Sequence, residues 1–295
     1  MCDDFTAEAE QRELKARGLS RREFAAATAA TAIVGCASGA SSQASAQASY
    51  PGLTETIVTI PTADGKADAF FVHPASGRHP GIVLWPDIGG LRDAFKTMGR
   101  RLAHDGYAVL VVNQYYRNSP APVLNSFAEW RTPEGQTKLK PMIAAINPPA
   151  TTRDAAAFVG FLDRQPAVDT RRKIGTNGYC MGGPYTVRTA AAVPDRVGAA
   201  ASLHGANLVG PDPDSPAHLL ARTKASYLFA IGRNDDARAP GDKDALRAAA
   251  AAAGRPAEIE VYPADHGWCV IDTPMYDKAA AEKAWSRMLA LFAKL

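Results

Sequence analysis

The chain has 295 residues, 46% hydrophobic and 21% charged, with 24 Gly, 21 Pro and four Cys; this composition excludes a collagen-like repeat, a disordered tail protein and a disulfide-stapled mini-domain. Its 33 basic and 30 acidic residues leave a net charge of +3, spread evenly, so no nucleic-acid stripe and no membrane-surface patch stands out. No apolar run reaches the ~20 residues that a membrane-spanning helix needs, and four cysteines are too few for a structural scaffold.

Residues 1–48 read as an address and a disordered segment rather than part of a fold. Ser20-Arg21-Arg22-Glu23-Phe24 precedes an Ala/Thr-rich stretch and then a Gly/Ser/Ala/Gln segment. Paired arginines, a short apolar region and small residues at Ala44-Ser45-Ala46 and Ala46-Gln47-Ala48 resemble a twin-arginine export signal, so a periplasmic location is expected. Ile33-Val34-Gly35-Cys36 also resembles a lipobox, which would make Cys36 a lipid anchor. Residues 49–295 then form a single domain. Roughly 250 residues can bury about 70–75% of their unfolded surface without a metal or disulfide.

In chain order, apolar runs predict strands at 55–60, 67–72, 81–85, 107–112, 173–179, 197–203, 226–231 and 258–262. Several are continuous rather than alternating, as in strands covered on both faces. Helices are predicted between them at 92–104, 153–163, 183–191, 242–252 and 277–294. The last repeats Ala281, Trp285, Met288, Leu289 and Phe292 at helical spacing. Residues 119–149, rich in Pro and Asn and poorly periodic, read as an irregular excursion over the sheet edge or part of a lid. Alternating strands and helices imply an α/β fold with a mostly parallel central sheet and helices on both faces.

Ligands in such sheets bind beyond the carboxyl ends of the strands, so chemistry is sought in the loops that follow them. Gly178-Tyr179-Cys180-Met181-Gly182-Gly183 sits between a strand and a helix. It is a small-x-nucleophile-x-small turn with cysteine in the serine position, and its glycines suit a turn too tight for a Cβ. The turn would expose the sulfur at a helix N-terminus, whose dipole favours thiolate. After the 226–231 strand comes Gly232-Arg233-Asn234-Asp235-Asp236, where an acid could orient a histidine; Asp235 lies nearer the strand end, with Asp236 as the alternative. After the last strand comes His266-Gly267-Trp268. The chain order nucleophile, acid, histidine is that of α/β-hydrolases. Trp85-Pro86-Asp87-Ile88-Gly89-Gly90 follows an early strand, and the backbone N–H groups of Ile88 and Met181 are the expected oxyanion hole. His204-Gly205 also follows a strand end, with packing the preferred reading and pocket lining the alternative.

Together, Gly-Tyr-Cys-Met-Gly-Gly at 178–183, Gly-x-x-Asp at 232–235 and His-Gly-Trp at 266–268 resemble the dienelactone hydrolase family, from about residue 55 to the C-terminus. The resemblance implies an α/β-hydrolase fold and a Cys180-Asp235-His266 triad. In the family an early-loop acid, usually Glu, contacts the resting thiol; here the position holds Asp87. Asn113-Gln114-Tyr115-Tyr116-Arg117 resembles a substrate-carboxylate-binding segment, implying Arg117 and Tyr115 as substrate contacts, with Trp268 beside the histidine. Family enzymes that open dienelactones have a second arginine just after the histidine; residues 267–272 contain none.

The expected activity is hydrolysis of a small-molecule carboxylic ester or lactone, of the dienelactone or carboxymethylenebutenolide type, through a thioester on Cys180. No metal or organic cofactor is required, and a monomer is expected. Two alternatives are a non-catalytic ligand-binding protein on the same scaffold and a thiol-redox protein pairing Cys180 with Cys269.

Overall fold

The computed structural model describes residues 50–295; the export-signal motif, its cleavage sites and Cys36 lie outside the described residues. Eight strands, β1 (Leu53–Thr62), β2 (Gly65–Pro74), β3 (Gly81–Trp85), β4 (Ala108–Val112), β5 (Ile174–Tyr179), β6 (Val197–Leu203), β7 (Ser226–Gly232) and β8 (Ala257–Tyr262), form one sheet. Their order is β1-β2-β4-β3-β5-β6-β7-β8. β1 pairs antiparallel with β2 and β2 with β4, and every later pairing is parallel. Together with the helices on its two faces, this is an α/β-hydrolase fold.

The continuous apolar runs have the reason expected of them. Every residue of β3 and of β4 is buried, because the period of two sends alternate side chains to opposite faces and both faces are covered. Val83, Trp85, Leu110, Tyr227 and Phe229 enter one core, and Ile82, Leu84, Val111, Leu228 and Ala230 enter the other. Burial of each such Val, Leu, Ile or Phe contributes about 1.5–3 kcal/mol.

The helices are α1 (Asp93–His104), α2 (Phe127–Trp130), α3 (Pro133–Ala145), α4 (Pro148–Asp163), α5 (Gly183–Ala192), α6 (Pro216–Leu219), α7 (Arg233–Arg238), α8 (Asp242–Ala253) and α9 (Lys278–Phe292). α1 and α9 pack on one face of the sheet, and α4, α5 and α8 on the other. The chain leaves β3 through α1 to reach β4 on one side, then returns through α4 to β5 on the other. The crevice of an open parallel sheet lies at such a reversal, between the loops after β3 and β5.

Residues 119–149 differ from the expected irregular excursion, since they contain α2 and α3, and α4 begins at Pro148 rather than at 153. Caps and prolines set these starts. Thr132 Oγ1 accepts from the Gly135 amide at 3.0 Å and Asn147 Oδ1 from that of Ala150 at 3.0 Å, each just ahead of a Pro in the first turn. α3 escapes a periodicity search because it buries only Gly135 and Leu139 and carries Pro141 inside it. Among the described residues no helix is long and apolar enough to cross a membrane.

Candidate active site

The turn after β5 is a strained elbow. Cys180 adopts φ +52°, a left-handed conformation that typically costs a non-glycine residue on the order of 1–3 kcal/mol. Its neighbours must be glycine: a Cβ on Gly178 would lie 2.1 Å from the Gly182 carbonyl oxygen, and one on Gly182 2.4 Å and 2.5 Å from the Trp85 and Pro86 oxygens. The tight contacts fuse the elbow to the loop after β3. They hold the half-buried Cys180 in the turn of 3-10 helix that leads into α5.

The acid and the histidine converge there from β7 and β8. Asp235 lies in the first turn of α7. The His266 Nδ1–H donates to Asp235 Oδ2 at 2.8 Å, and the Asn234 side chain accepts from the His266 amide at 2.8 Å. These two bonds fix both the ring and the backbone beneath it. Asp236 turns away to Lys243 at 2.7 Å, so the neighbour nearer the strand end is the histidine's partner. His266 Nε2 is buried without a hydrogen-bond partner of ordinary geometry, although the Cys180 sulfur is close enough to act on the ring. Burial disfavours the imidazolium, but the Asp235 carboxylate and then Cys180 outweigh it and hold the ring's pKa well above its ordinary value.

The loop 86–91 is braced from β4. The Tyr115 hydroxyl donates to the Ile88 carbonyl at 2.7 Å and lies 3.9 Å from the Met181 sulfur, while Gln114 Nε2 donates to the Asp87 carbonyl at 2.7 Å. The Tyr115 ring packs under Gly90, which takes φ +74°. The Tyr115 hydroxyl thus ties the Ile88 loop to the Met181 side chain of the elbow.

Four expected residues are placed differently. Asp87 is not free to hold the thiol. Its Oδ1 and Oδ2 accept from Arg92 at 2.6 Å and 2.9 Å, and Oδ1 also accepts from the Gly89 amide at 2.8 Å. Arg117 is committed to Asp154 and Asp64, at 2.8 Å and 2.6 Å, and stacks on Tyr116; it pins the β1–β2 turn to α4. Tyr115 is fully buried and acts as a brace. Trp268 is also fully buried, stacked on Tyr262 at 5.3 Å between ring centres. Large apolar rings gain most from complete removal from water.

Both thiols are free. Cys180 packs against the core under α4 and α5. Cys269 lies in the α1/α9 core, at the wall of a cavity of about 120 Å³ there, and burial pushes its thiol well above the ordinary range. The two belong to opposite faces of the sheet, which disfavours the redox pairing.

Three residues carry more of the site than the sequence reading gave them. His204, at φ +38°, is buried with both ring nitrogens unpartnered and packs edge-on against His266, 4.7 Å between ring centres. Arg92 bridges Asp87 and Asp272. A signal for Arg92 exists, since an arginine flanking a helix N-terminus opposes the helix dipole and calls for carboxylates nearby. Asp272 alone carries none. Among the described residues no group of three or more His, Cys, Asp or Glu could hold a metal ion.

Sheet order, strained elbow and histidine–acid pair define a hydrolase of the α/β-hydrolase class. Residues 67–295 match the sequence model of the dienelactone hydrolase family, and the chain belongs to that family. A protein of Methylorubrum extorquens named as a carboxymethylenebutenolidase is 29% identical over 276 residues, which cover 92% of this chain and 91% of that one. A Salmonella typhimurium protein with the same name is 29% identical over 81% of this chain and 86% of its own length. The crystal structure of a dienelactone hydrolase-like promiscuous phosphotriesterase from metagenomic libraries superposes with a TM-score of 0.67 at 22% identity, covering 83% of this chain and 99% of that chain.

Proposed function

We propose that the protein hydrolyses carboxylic esters or lactones through a cysteine nucleophile and a thioester intermediate. The observation that carries this reading is Cys180 at φ +52° on the elbow, at the same rim as a histidine bonded at 2.8 Å to a carboxylate. His266 takes the thiol proton, and the sulfur attacks the carbonyl carbon. The developing oxyanion is held by the Ile88 and Met181 amides, where one such donor typically contributes ~3–4 kcal/mol. The alkoxide leaves with the proton from His266, and water, deprotonated by the same ring, cleaves the thioester. Asp235 keeps the Nδ1 proton in place throughout. The relatives' names favour a lactone or enol ester.

With Arg117 engaged by two carboxylates and no arginine among residues 267–272, the favoured substrate carries no carboxylate needing a two-arginine clamp. The arginine pair at Arg21-Arg22 supports export before the enzyme meets this substrate.

The test is turnover of p-nitrophenyl acetate and of unsubstituted lactones by wild type and Cys180→Ala, with mass spectrometry of the quenched wild type. Activity should vanish in the variant, and an acyl mass should sit on the peptide bearing Cys180. Undiminished turnover in Cys180→Ala would end this reading.

A further inference from the structure

Arg92 occupies a position that ought to reject it. It flanks the N-terminus of α1, where the helix dipole disfavours a cation, and its side chain is wholly buried. A buried charge persists only when paired and fully hydrogen-bonded. Here every N–H of the guanidinium is used. Nη1 donates to Asp87 Oδ1 at 2.6 Å and to the Gly90 carbonyl at 3.1 Å. Nη2 donates to Asp87 Oδ2 at 2.9 Å and Asp272 Oδ1 at 2.7 Å, and Nε to Asp272 Oδ2 at 2.7 Å. Phe95 and Phe127 lie 4.9 Å and 5.6 Å from the cation. A Cβ on Gly89 would come within 2.8 Å of Nη1, so the loop is closed onto this group.

What the two carboxylates belong to gives the arrangement its meaning. Asp87 precedes Ile88 in the loop after β3. Asp272 lies in the same β8–α9 loop as His266, and its Oδ2 also accepts from the Phe127 amide at 3.0 Å, at the start of α2. One side chain therefore joins the loop bearing an oxyanion amide to the loop bearing the base. It also uses up Asp87: both oxygens face Arg92, and the Gly89 amide donates to one of them.

We propose that Arg92 is a positioning residue that staples the Ile88 loop to the His266 loop and holds the Asp87 carboxylate away from the thiol, so that Cys180 answers to His266 alone, whether or not a substrate is bound. The kinetic half rests on the hydrolytic reading above; the thiol half is measured on the resting protein. Only arginine fits, because lysine has three donors from one point and cannot grip two carboxylates side on. Small displacements of a catalytic loop cost rate out of proportion to their size.

The experiment follows two readouts on the full chain: steady-state hydrolysis of p-nitrophenyl acetate, and the rate of iodoacetamide alkylation at Cys180, read by mass spectrometry at neutral pH. Asp87→Asn alone should leave alkylation within twofold of wild type, since the carboxylate is already sequestered. An increase of fivefold or more would show Asp87 holding the resting thiol and overturn the proposal. Asp272→Asn should lower kcat at least fivefold with KM within threefold and alkylation unchanged; wild-type kcat would overturn the staple. Arg92→Lys should lower kcat at least tenfold and slow alkylation as freed Asp87 turns to the thiol, and adding Asp87→Asn should restore alkylation but not kcat. Failure of that rescue in a folded double variant overturns the lock. If Arg92→Lys does not fold, the Asp87 and Asp272 variants decide. A wild type that alkylates at Cys180 yet hydrolyses no ester would overturn the hydrolytic reading instead, leaving the alkylation arms to be scored.

Discussion

The loops after β5, β7 and β8 and the segment after β4 are built from similar residues, yet they end in opposite states. His266 has one ring nitrogen held by the Asp235 carboxylate, and the other has no hydrogen bond of ordinary geometry but lies within the influence of the Cys180 sulfur. Arg117 and Tyr115 are engaged inside the protein, by Asp64, Asp154 and the Ile88 carbonyl. The difference teaches that a reactive residue is recognised by the valence the fold leaves open, not by its chemical type. A buried polar group with all its partners is structure. One held in strain, or missing a partner in a loop at the sheet rim, is poised for chemistry.

The sharpest way to break this comparison is to remove the partner that orients the open valence. Asp235→Asn should lower kcat by about 10³–10⁴, because an amide can hold the wrong tautomer of the ring, while Asp236→Asn should stay within about twofold of wild type. Equal losses from both, in ester kinetics on folded variants, would show that the 2.8 Å contact does not set the ring.

A smaller effect is expected on the recognition side. Arg117→Ala should leave KM unchanged for neutral and carboxylate-bearing esters alike. It should lower stability by about 1–2 kcal/mol in urea unfolding, a value discounted from that of a fully buried pair because the arginine is partly exposed. A KM raised tenfold for the carboxylate-bearing ester alone would restore Arg117 as a substrate contact.

The smallest effect concerns the ring behind the base. Burial, and then the neighbouring His266, hold His204 well below the ordinary histidine value of 6.5. The folded state keeps it neutral while the unfolded chain takes up a proton near 6.5, so its contribution to stability is present above that value and lost as pH falls. From pH 6.5 to about 5.5 the loss is about 1 kcal/mol. His266, raised, has the opposite sign: its contribution is present below 6.5 and is lost as pH rises through its folded value. His204→Asn, which retains a residue tolerant of positive φ, should unfold at a midpoint less sensitive to acid than wild type. An unchanged slope between pH 7 and 5.5 would assign the titration elsewhere.

How far the sequence reached can be judged residue by residue. The strands of the parallel sheet were legible because they are short runs between turns, several of them continuously apolar, as β3 and β4 are. The elbow was legible because three glycines flank the cysteine, and the structure shows each to be sterically required. α2 and α3 were not, since their starts rest on caps and prolines and α3 turns little of itself to the core. The segment carrying Asp235 reads as a loop in the sequence, whereas the structure makes it the short helix α7. The Asp87 reading missed because that side chain's partner is Arg92, whose other partner lies 180 residues further along the chain, and no local pattern records such a pairing.

By itself, then, the order of residues determined the alternation of strand and helix, the left-handed cysteine turn and the succession of cysteine, acid and histidine. All three depend on local sterics and on the period of burial. Which acid holds the histidine, where Asp87 and Arg117 spend their charges, and why the two thiols face different cores were decided only when the chain closed. Charge pairing acts over a few ångströms in space and is indifferent to separation along the backbone.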